Sequence, residues 1–343
     1  MQFHRYLNDP NAVLVIRLPV PQQPAWLDYE QCAQEAMTLV QLRLDNEKVA
    51  LKPNVTAGEH YADPDMNIGT HAGFIAGMVR YLQQHGARRQ GIYVVEDPRD
   101  SDDNKPRHWR GTLYPEMAQQ TGAKLRCPTT YTCVRKPVPH PLVHTTRNVS
   151  RLAVAPDIAL INVPKMKTHN LAITTLCIKN LMGLDLVWDR HYCGQAFRDL
   201  PPAWQVTDRP RQEWMTRTIH EQWQDGLARR LADLAQVITP RLNVVEGVVG
   251  RDGTGFNRGH NYPLGLVAVG TNVVAVDSVV SYIMGFDPQK LIYLQVANEV
   301  GLGSNDMHHL AVYTTQEGEI VPVHDVDSLR LREPFTVTCD ILE

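Results

Sequence analysis

Short apolar runs along this chain alternate with longer stretches in which apolar residues recur three and four apart, a pattern of strands feeding helices. Residues 12–18, 48–51, 91–96, 158–163, 242–249 and 263–270 read as strands. Helical spacing marks 26–44, 71–85, 171–181, 212–239 and 272–284, and Asp287 and Pro288 open a further helix that ends near Gly301. Gly86, Gly183 and Pro240 punctuate these helices at their C-terminal ends. The run 158–163, bounded by Asp157 and Pro164, is apolar almost throughout and suits a strand covered on both faces. Repeated units of strand, polar tip and helix predict an α/β fold, two-lobed, with largely parallel sheets flanked by helices. Residues 1–150 form the first lobe in this reading and 151–309 the second. Residues 310–343 alternate as a short antiparallel C-terminal extension.

The stretch 157–183, DIALINVPKMKTHNLAITTLCIKNLMG, carries the most concentrated chemistry. Beyond Pro164 come Lys165, Lys167 and His169, with Lys179 and Asn180 late on the predicted helix. Open α/β sheets place their ligand crevice at the carboxyl ends of strands. Lysines are seldom buried without a partner, and a pocket holding several attracts a carboxylate, phosphate or enolate-like oxygen. A lysine depressed by lysine neighbours also serves as a base or forms a Schiff base. The plain alternative is a solvated loop, with Lys179 complementing a helix end.

Other segments add candidates. Lys52 and Asn54 repeat the pattern of a strand ending in polar groups, although Pro53 and Asn54 also suit a simple turn. Thr70 is a candidate cap for the helix that His71 opens, and a histidine there favours a neutral hydrogen-bonding, proton-transferring or metal-binding role. The segment 246–255, EGVVGRDGTG, has four glycines, and Gly253 and Gly255 can bring backbone amides close to an anion. It is neither a Walker loop nor a GxGxxG fingerprint. Glu246 and Asp252 read as base or metal ligands, with Asp252 equally suited to capping the turn. Asp277 falls among apolar residues and calls for a partner such as a motif lysine. Residues 188–223 hold four of the six tryptophans and read as a lid or a homodimer contact, with Arg190 as a substrate-binding candidate beside His191 and Tyr192.

Composition narrows the classes. A formal charge of -3 and a pI near 6.5 give no reason to expect nucleic acid. No apolar run is long enough for a membrane span and the N-terminus lacks signal-peptide character, so a cytoplasmic location is expected. Six scattered cysteines without CxxC spacing predict neither a disulfide framework nor an intrinsic iron-sulfur cluster. Cys177 reads as a small buried hydrophobe.

VPKMKTH followed by IKNLMG, VALKPN at 49–54, HGA at 85–87, VVEGVVGRDGTG at 244–255 and VAVGTNVVAVDSVVSYIMGFDP at 267–288 together resemble the domain-of-unknown-function 362 (DUF362) family. The resemblance covers residues 45–305, implies an α/β fold and leaves the reaction open. That family is also found fused to iron-sulfur modules, which implies a separate ferredoxin-like protein as a partner. The layout is also similar to lactate-racemase-like proteins, which use lysine and histidines around a metal cofactor between two lobes. That analogy favours isomerase or lyase chemistry over hydrolysis. The expectation is an enzyme acting on a small anionic ligand in a lysine-lined interlobe cleft, with a divalent metal as candidate cofactor. Lys165, Lys167, Lys179 and His71 are its catalytic candidates, and Lys52, Asn54, His169, Asn180, Gly253, Gly255 and Arg190 its substrate contacts. One alternative is a non-catalytic ligand-binding or electron-transfer accessory protein working with an iron-sulfur partner. The other is a purely structural lysine set paired with Asp277, Asp252 and Glu246.

Overall fold

The computed structural model describes residues 1–55, 67–96, 109, 111–186, 192–209, 211–256 and 258–338. In chain order its elements are β1 (Ala12–Arg17), α1 (Trp26–Val40), β2 (Glu47–Pro53), α2 (Ala72–Gln84), β3 (Ala87–Val95), α3 (Tyr114–Thr121) and β4 (Lys124–Arg126). A hairpin, β5 (Cys133–Pro137) and β6 (Thr146–Ser150), and one helical turn, α4 (Arg151–Val154), precede β7 (Ile158–Val163). Then follow β8 (Lys165–His169), β9 (Ile173–Thr175), α5 (Cys177–Asn180), α6 (Tyr192–Arg198), α7 (Arg211–Trp214) and α8 (Arg217–Val237). The chain continues with β10 (Leu242–Arg251), β11 (Asn261–Gly270), α9 (Val273–Ile283), α10 (Ile292–Glu299), β12 (Ala311–Gln316) and β13 (Glu319–Pro322).

One sheet takes the order β13-β12-β1-β11-β10-β7-β2-β3-β4, with β8 paired to β10 and β9 to β8. The run from β10 through β7, β2 and β3 to β4 is parallel. β11 lies antiparallel to both β10 and β1, and β12 with β13 form the antiparallel C-terminal hairpin. Strands from both sides of residue 150 share this sheet, since β1 lies between β11 and β12.

Alternation along the strands feeds two cores. Leu14, Ile16, Val49 and Leu51 pack with α1, α2 and α3 on one face. Val13, Val15, Ala50 and Leu160 pack with α5, α8, α9 and α10 on the other. Among the described residues no helix is long and apolar enough to cross a membrane.

The expected strands recur within a few residues, and β7 has the expected limits. The motif segment differs. Lys165–His169 is a strand and not a loop, Ile173–Thr175 is its antiparallel partner, and the expected helix from residue 171 shrinks to the single turn α5. The apolar spacing there fits a helix, but antiparallel pairing of β9 with β8, Thr175 opposite Lys167, holds residues 173–175 extended. A 3-10 turn, Leu181–Leu184, then carries the chain past Gly183. A Cβ at Gly183 would lie 1.7 Å from a Glu96 carboxylate oxygen, so this close approach requires glycine.

Asp277 is also corrected. Its fully buried carboxylate accepts the backbone N–H of Cys177 at 2.6 Å and of Ile178 at 3.0 Å, not a lysine. The first amides of a helical turn lack intrahelical partners, and a carboxylate suits that end. Cys177 is buried in the core beside it.

Asp277→Ala leaves two buried N–H groups unpaired and is expected to cost about 2–6 kcal/mol, read as a lower urea midpoint. Burial raises the Asp277 pKa to about 7 against these opposing hydrogen bonds. A raised carboxyl pKa contributes stability that is full below the unfolded value near 3.8 and is lost as pH rises through about 7. Asp277→Asn is therefore expected to cost less than Asp277→Ala and to flatten stability between those two pH values.

Candidate functional site: a lysine-lined cleft

β8 extends the line of β7 beyond Pro164, whose carbonyl accepts the Glu246 N–H at 2.8 Å. Two-residue alternation puts Lys165, Lys167 and His169 on one face of β8, while Met166 enters the core on the other. All of β8 is buried, so each cation there needs a substitute for its lost hydration.

The three most deeply buried lysines meet this need differently. Lys165 Nζ donates to both Glu246 oxygens at 2.8 and 3.1 Å, with both side chains fully buried. Burial lowers the Lys165 pKa, and Glu246 opposes that shift. Lys52 Nζ donates to Glu96 at 2.8 Å, to the Pro53 carbonyl at 2.6 Å and to Asn180 Oδ1 at 3.2 Å. Asn180 in turn donates to Asn162, and Asn162 to Asn243, so side-chain amides tie α5, β2, β7 and β10 together. Lys167 is 2 % exposed, and its Nζ donates to the Gly255 carbonyl at 3.1 Å, 4.8 Å from the centre of the Phe256 ring. Among the described residues no carboxylate comes within ion-pair range of Lys167. Burial, reinforced by Lys179 and Lys165, holds its pKa well below the ordinary lysine value.

Lys167 borders a cleft of about 290 Å³. Lys179, His169, Asn180, Asn54, Glu96 and Arg211 supply polar lining, and Leu171, Met182, Trp223 and Phe256 supply apolar lining. Lys179 is half-buried on α5. His169 Nδ1 accepts the N–H groups of Leu171 and Ala172 at 3.0 and 3.2 Å, so a neutral ring carries its proton on Nε2. The Arg211 guanidinium lies 5.0 Å from the centre of the Trp223 ring. Trp223 is held by donation from its indole to the Cys193 carbonyl at 2.7 Å, and Phe197 packs edge-on against it. The described part of 188–223 therefore builds one wall of the cleft.

The structure thus gathers Lys167, Lys179, His169, Asn180 and Asn54 around one space, with Lys52 directly behind Asn180. Lys165 and His71 are outside that lining. His71 caps α2 in place of the expected Thr70, its Nδ1 accepting from Gly73 N at 3.1 Å and its ring stacked on Tyr29 at 3.8 Å. Thr70 instead ties strand tips together, donating to the Val163 carbonyl and accepting from Asn54 N. The glycine loop acts through carbonyls and not through amides facing a ligand. Gly255 O accepts from Lys167, Gly253 O accepts from Thr168, and Gly253 N donates to the Thr336 carbonyl. A Cβ at Gly255 would lie 2.0 Å from the Thr168 carbonyl oxygen, and its φ of +70° is itself a glycine conformation.

Glu246 and Asp252 share no partner as a metal pair would. Glu246 accepts from Lys165, His71 N and Val248 N, whereas Asp252 accepts from His260 N, Tyr262 and Thr336, which makes it the turn cap. Among the described residues no group of three or more His, Cys, Asp or Glu stands ready to hold a metal ion. Arg190 and His191 lie outside the described residues, and Tyr192 is buried against Asp185 and Arg147. Glu96, Arg211, Trp223 and Phe256 were not anticipated as site residues. Glu96 directly follows β3, and that position at a strand's carboxyl end is its available signal.

Fold and site define an α/β protein with a lysine-lined cleft at the carboxyl ends of its parallel strands. Residues 49–282 match the model of the family described as Domain of unknown function (DUF362), and the chain belongs to that family. It is 25% identical over 154 residues to the thylakoid-associated protein sll1697 of Synechocystis sp. (strain ATCC 27184 / PCC 6803 / Kazusa), covering 45% of this chain and 40% of that protein. The chain thus spans less than half the length of that relative. A crystal structure of a Thermotoga maritima protein is similar at a TM-score of 0.40 and 10% identity, over 73% of this chain and 56% of that one.

His71 gives a pH test of this arrangement. Burial, then the Lys165 charge, lowers its pKa from 6.5 to about 3. The unfolded chain takes up a proton between those values while the folded ring stays neutral, so stability falls as pH drops from 6.5 towards 3. Each pH unit in that window removes up to about 1.4 kcal/mol. His71→Asn keeps a capping oxygen and is expected to reduce this slope in denaturation measured at successive pH values.

Proposed function

We propose that this protein is an enzyme acting on a small anion, a carboxylate or phosphate, in the cleft beside Lys167. Lys167 is the reacting amine, and Lys179, Asn180 and Arg211 hold the anionic group. The carrying observation is the contrast among the buried lysines: Lys52 and Lys165 each meet a carboxylate, while Lys167 meets a carbonyl and an aromatic face. A buried amine with no carboxylate in ion-pair range among the described residues favours its neutral form, which a general base or nucleophile requires. Proton transfer or addition at a carbon centre, as in isomerases and lyases, uses such an amine directly. Hydrolysis would need an activated water, and among the described residues the carboxylate in the lining, Glu96, is engaged by Lys52 and Val55 N. The low exposure of Lys167 favours a small ligand over docking of an acidic protein such as a ferredoxin-like partner, which would use exposed, salt-sensitive lysines. A divalent metal is not required by this chemistry.

Small carboxylates and phosphates are expected to raise the melting temperature of the wild type, by about 2.7 kcal/mol of stability at a hundred times the dissociation constant. Lys167→Met is expected to raise stability without ligand, because it replaces a buried amine by an apolar group of similar length, and to weaken the ligand response. A depressed lysine pKa makes the wild type gain stability as pH rises towards the unfolded value near 10.5. That gain should be missing in Lys167→Met. A flat ligand panel for the wild type would overturn the reading.

A further inference from the structure

The cleft lining carries the reading further, to a class of substrate. We propose that the substrate is a 2-oxo acid with a planar, apolar side chain, and that it condenses with Lys167 as an imine. This rests on the cleft being the anion-binding site described above.

The first observation is the setting of the Lys167 nitrogen. It has a carbonyl for a hydrogen-bond partner and lies against the Phe256 face, inside a cleft and almost out of water. An ammonium in that setting would grip a phosphate only after acquiring a proton against its desolvation, whereas the neutral amine adds to a carbonyl carbon at once. The second observation is the placing of fixed charge. Lys179 and Arg211 line the same cleft, and the Glu96 carboxylate that also lines it is paired with Lys52, so a carboxylate beside the reacting carbonyl has cations that need not take part in the chemistry. Holding the carboxylate at one end orients the neighbouring carbonyl towards the amine.

The third observation is apolar. Phe256, Trp223, Leu171 and Met182 border the same space, and a plain phosphate or a very short acid leaves them without a partner. Aromatic faces accept a planar conjugated group in stacked or edge-on geometry. The cleft volume of about 290 Å³ lies at the lower end for small-molecule sites. That size accommodates an acid with one ring.

The condensation is balanced without any further reagent. The Lys167 nitrogen bonds to the carbonyl carbon, and the carbonyl π pair moves to oxygen. Both amine protons end on that oxygen, which departs as water and leaves a C=N bond. Protonated, the imine withdraws electrons from the side-chain carbon next to it and lowers the barrier to losing a proton there, the C–H pair becoming the C=C bond of an enamine while the C=N pair moves to nitrogen, which matches the isomerase character proposed above.

The test incubates the full chain with phenylpyruvate, pyruvate or inorganic phosphate, with and without borohydride, and follows intact mass, peptide mapping and thermal shift. Expected is a borohydride-dependent mass increase equal to phenylpyruvate less one oxygen, mapped to Lys167 and lost in Lys167→Met. Pyruvate should give a smaller yield. Lys179→Met should form the adduct only at higher phenylpyruvate concentration, and circular dichroism confirms that both variants are folded. Stabilisation by phenylpyruvate without an adduct, or an adduct on another lysine, overturns the imine while leaving the anion cleft standing. Equal labelling by pyruvate overturns the apolar side chain. Absence of stabilisation by any of the three probes removes the cleft reading together with this one.

Discussion

Taking a lysine ammonium out of water costs several kcal/mol unless its hydration is replaced, and three lysines leave water together at the carboxyl end of β2 and along β8, just beyond the carboxyl end of β7. The surrounding structure is shaped by how each is accommodated. Glu246 reaches Lys165 because β10 lies beside β8, and Glu96 reaches Lys52 because β3 lies beside β2. Breaking either pair would strand a buried charge, so sheet order and ion pairing support one another. Lys167 is the exception, meeting a carbonyl at the turn formed by Gly255, and the exception lies on the cleft.

The same end of the sheet is held by hydrogen bonds between side-chain amides and backbone. Asn162, Asn180 and Asn243 link strands to α5, and Asp277 pins the first amides of that turn from α9. Buried polar networks in a low dielectric are costly when partly satisfied and rigid when complete. Here they hold Lys179 and Asn180 at the cleft, although the helical turn carrying them spans only Cys177–Asn180. Such a turn would have little stability of its own. Its position derives from α9 and the neighbouring strands.

Proton affinities follow from this geometry. Burial opposes the charged form at His71, Lys167 and Asp277 alike, lowering the first two and raising the third. His71 nevertheless belongs to the cap of α2 and the Glu246 cluster, and not to the cleft lining. A perturbed group in a packed interior is thus a different matter from a perturbed group facing open space, which is why Lys167 carries the functional proposal.

The strand runs, the α/β class and the concentration of Lys165, Lys167, Lys179, His169 and Asn180 in one segment were legible in the sequence, because apolar periodicity and charge placement are local properties. Family membership was legible too, from motifs spread along the chain. The motif's own conformation was not: Leu171, Thr174, Ile178 and Leu181 satisfy helical spacing, yet residues 173–175 pair with β8, which β10 in turn holds in the sheet across distant sequence. The roles of Asp277, Asp252 and Thr70 depended likewise on donors brought from elsewhere, at Cys177 and Ile178, at Thr336 and at Asn54. The sequence by itself determined that apolar strands are followed by lysines, at Lys52 and beyond Pro164 at Lys165 and Lys167. Only the tertiary structure decided which of these lysines meets a carboxylate and which a carbonyl, because the partner of a buried charge is set by the strand or loop that folding brings beside it.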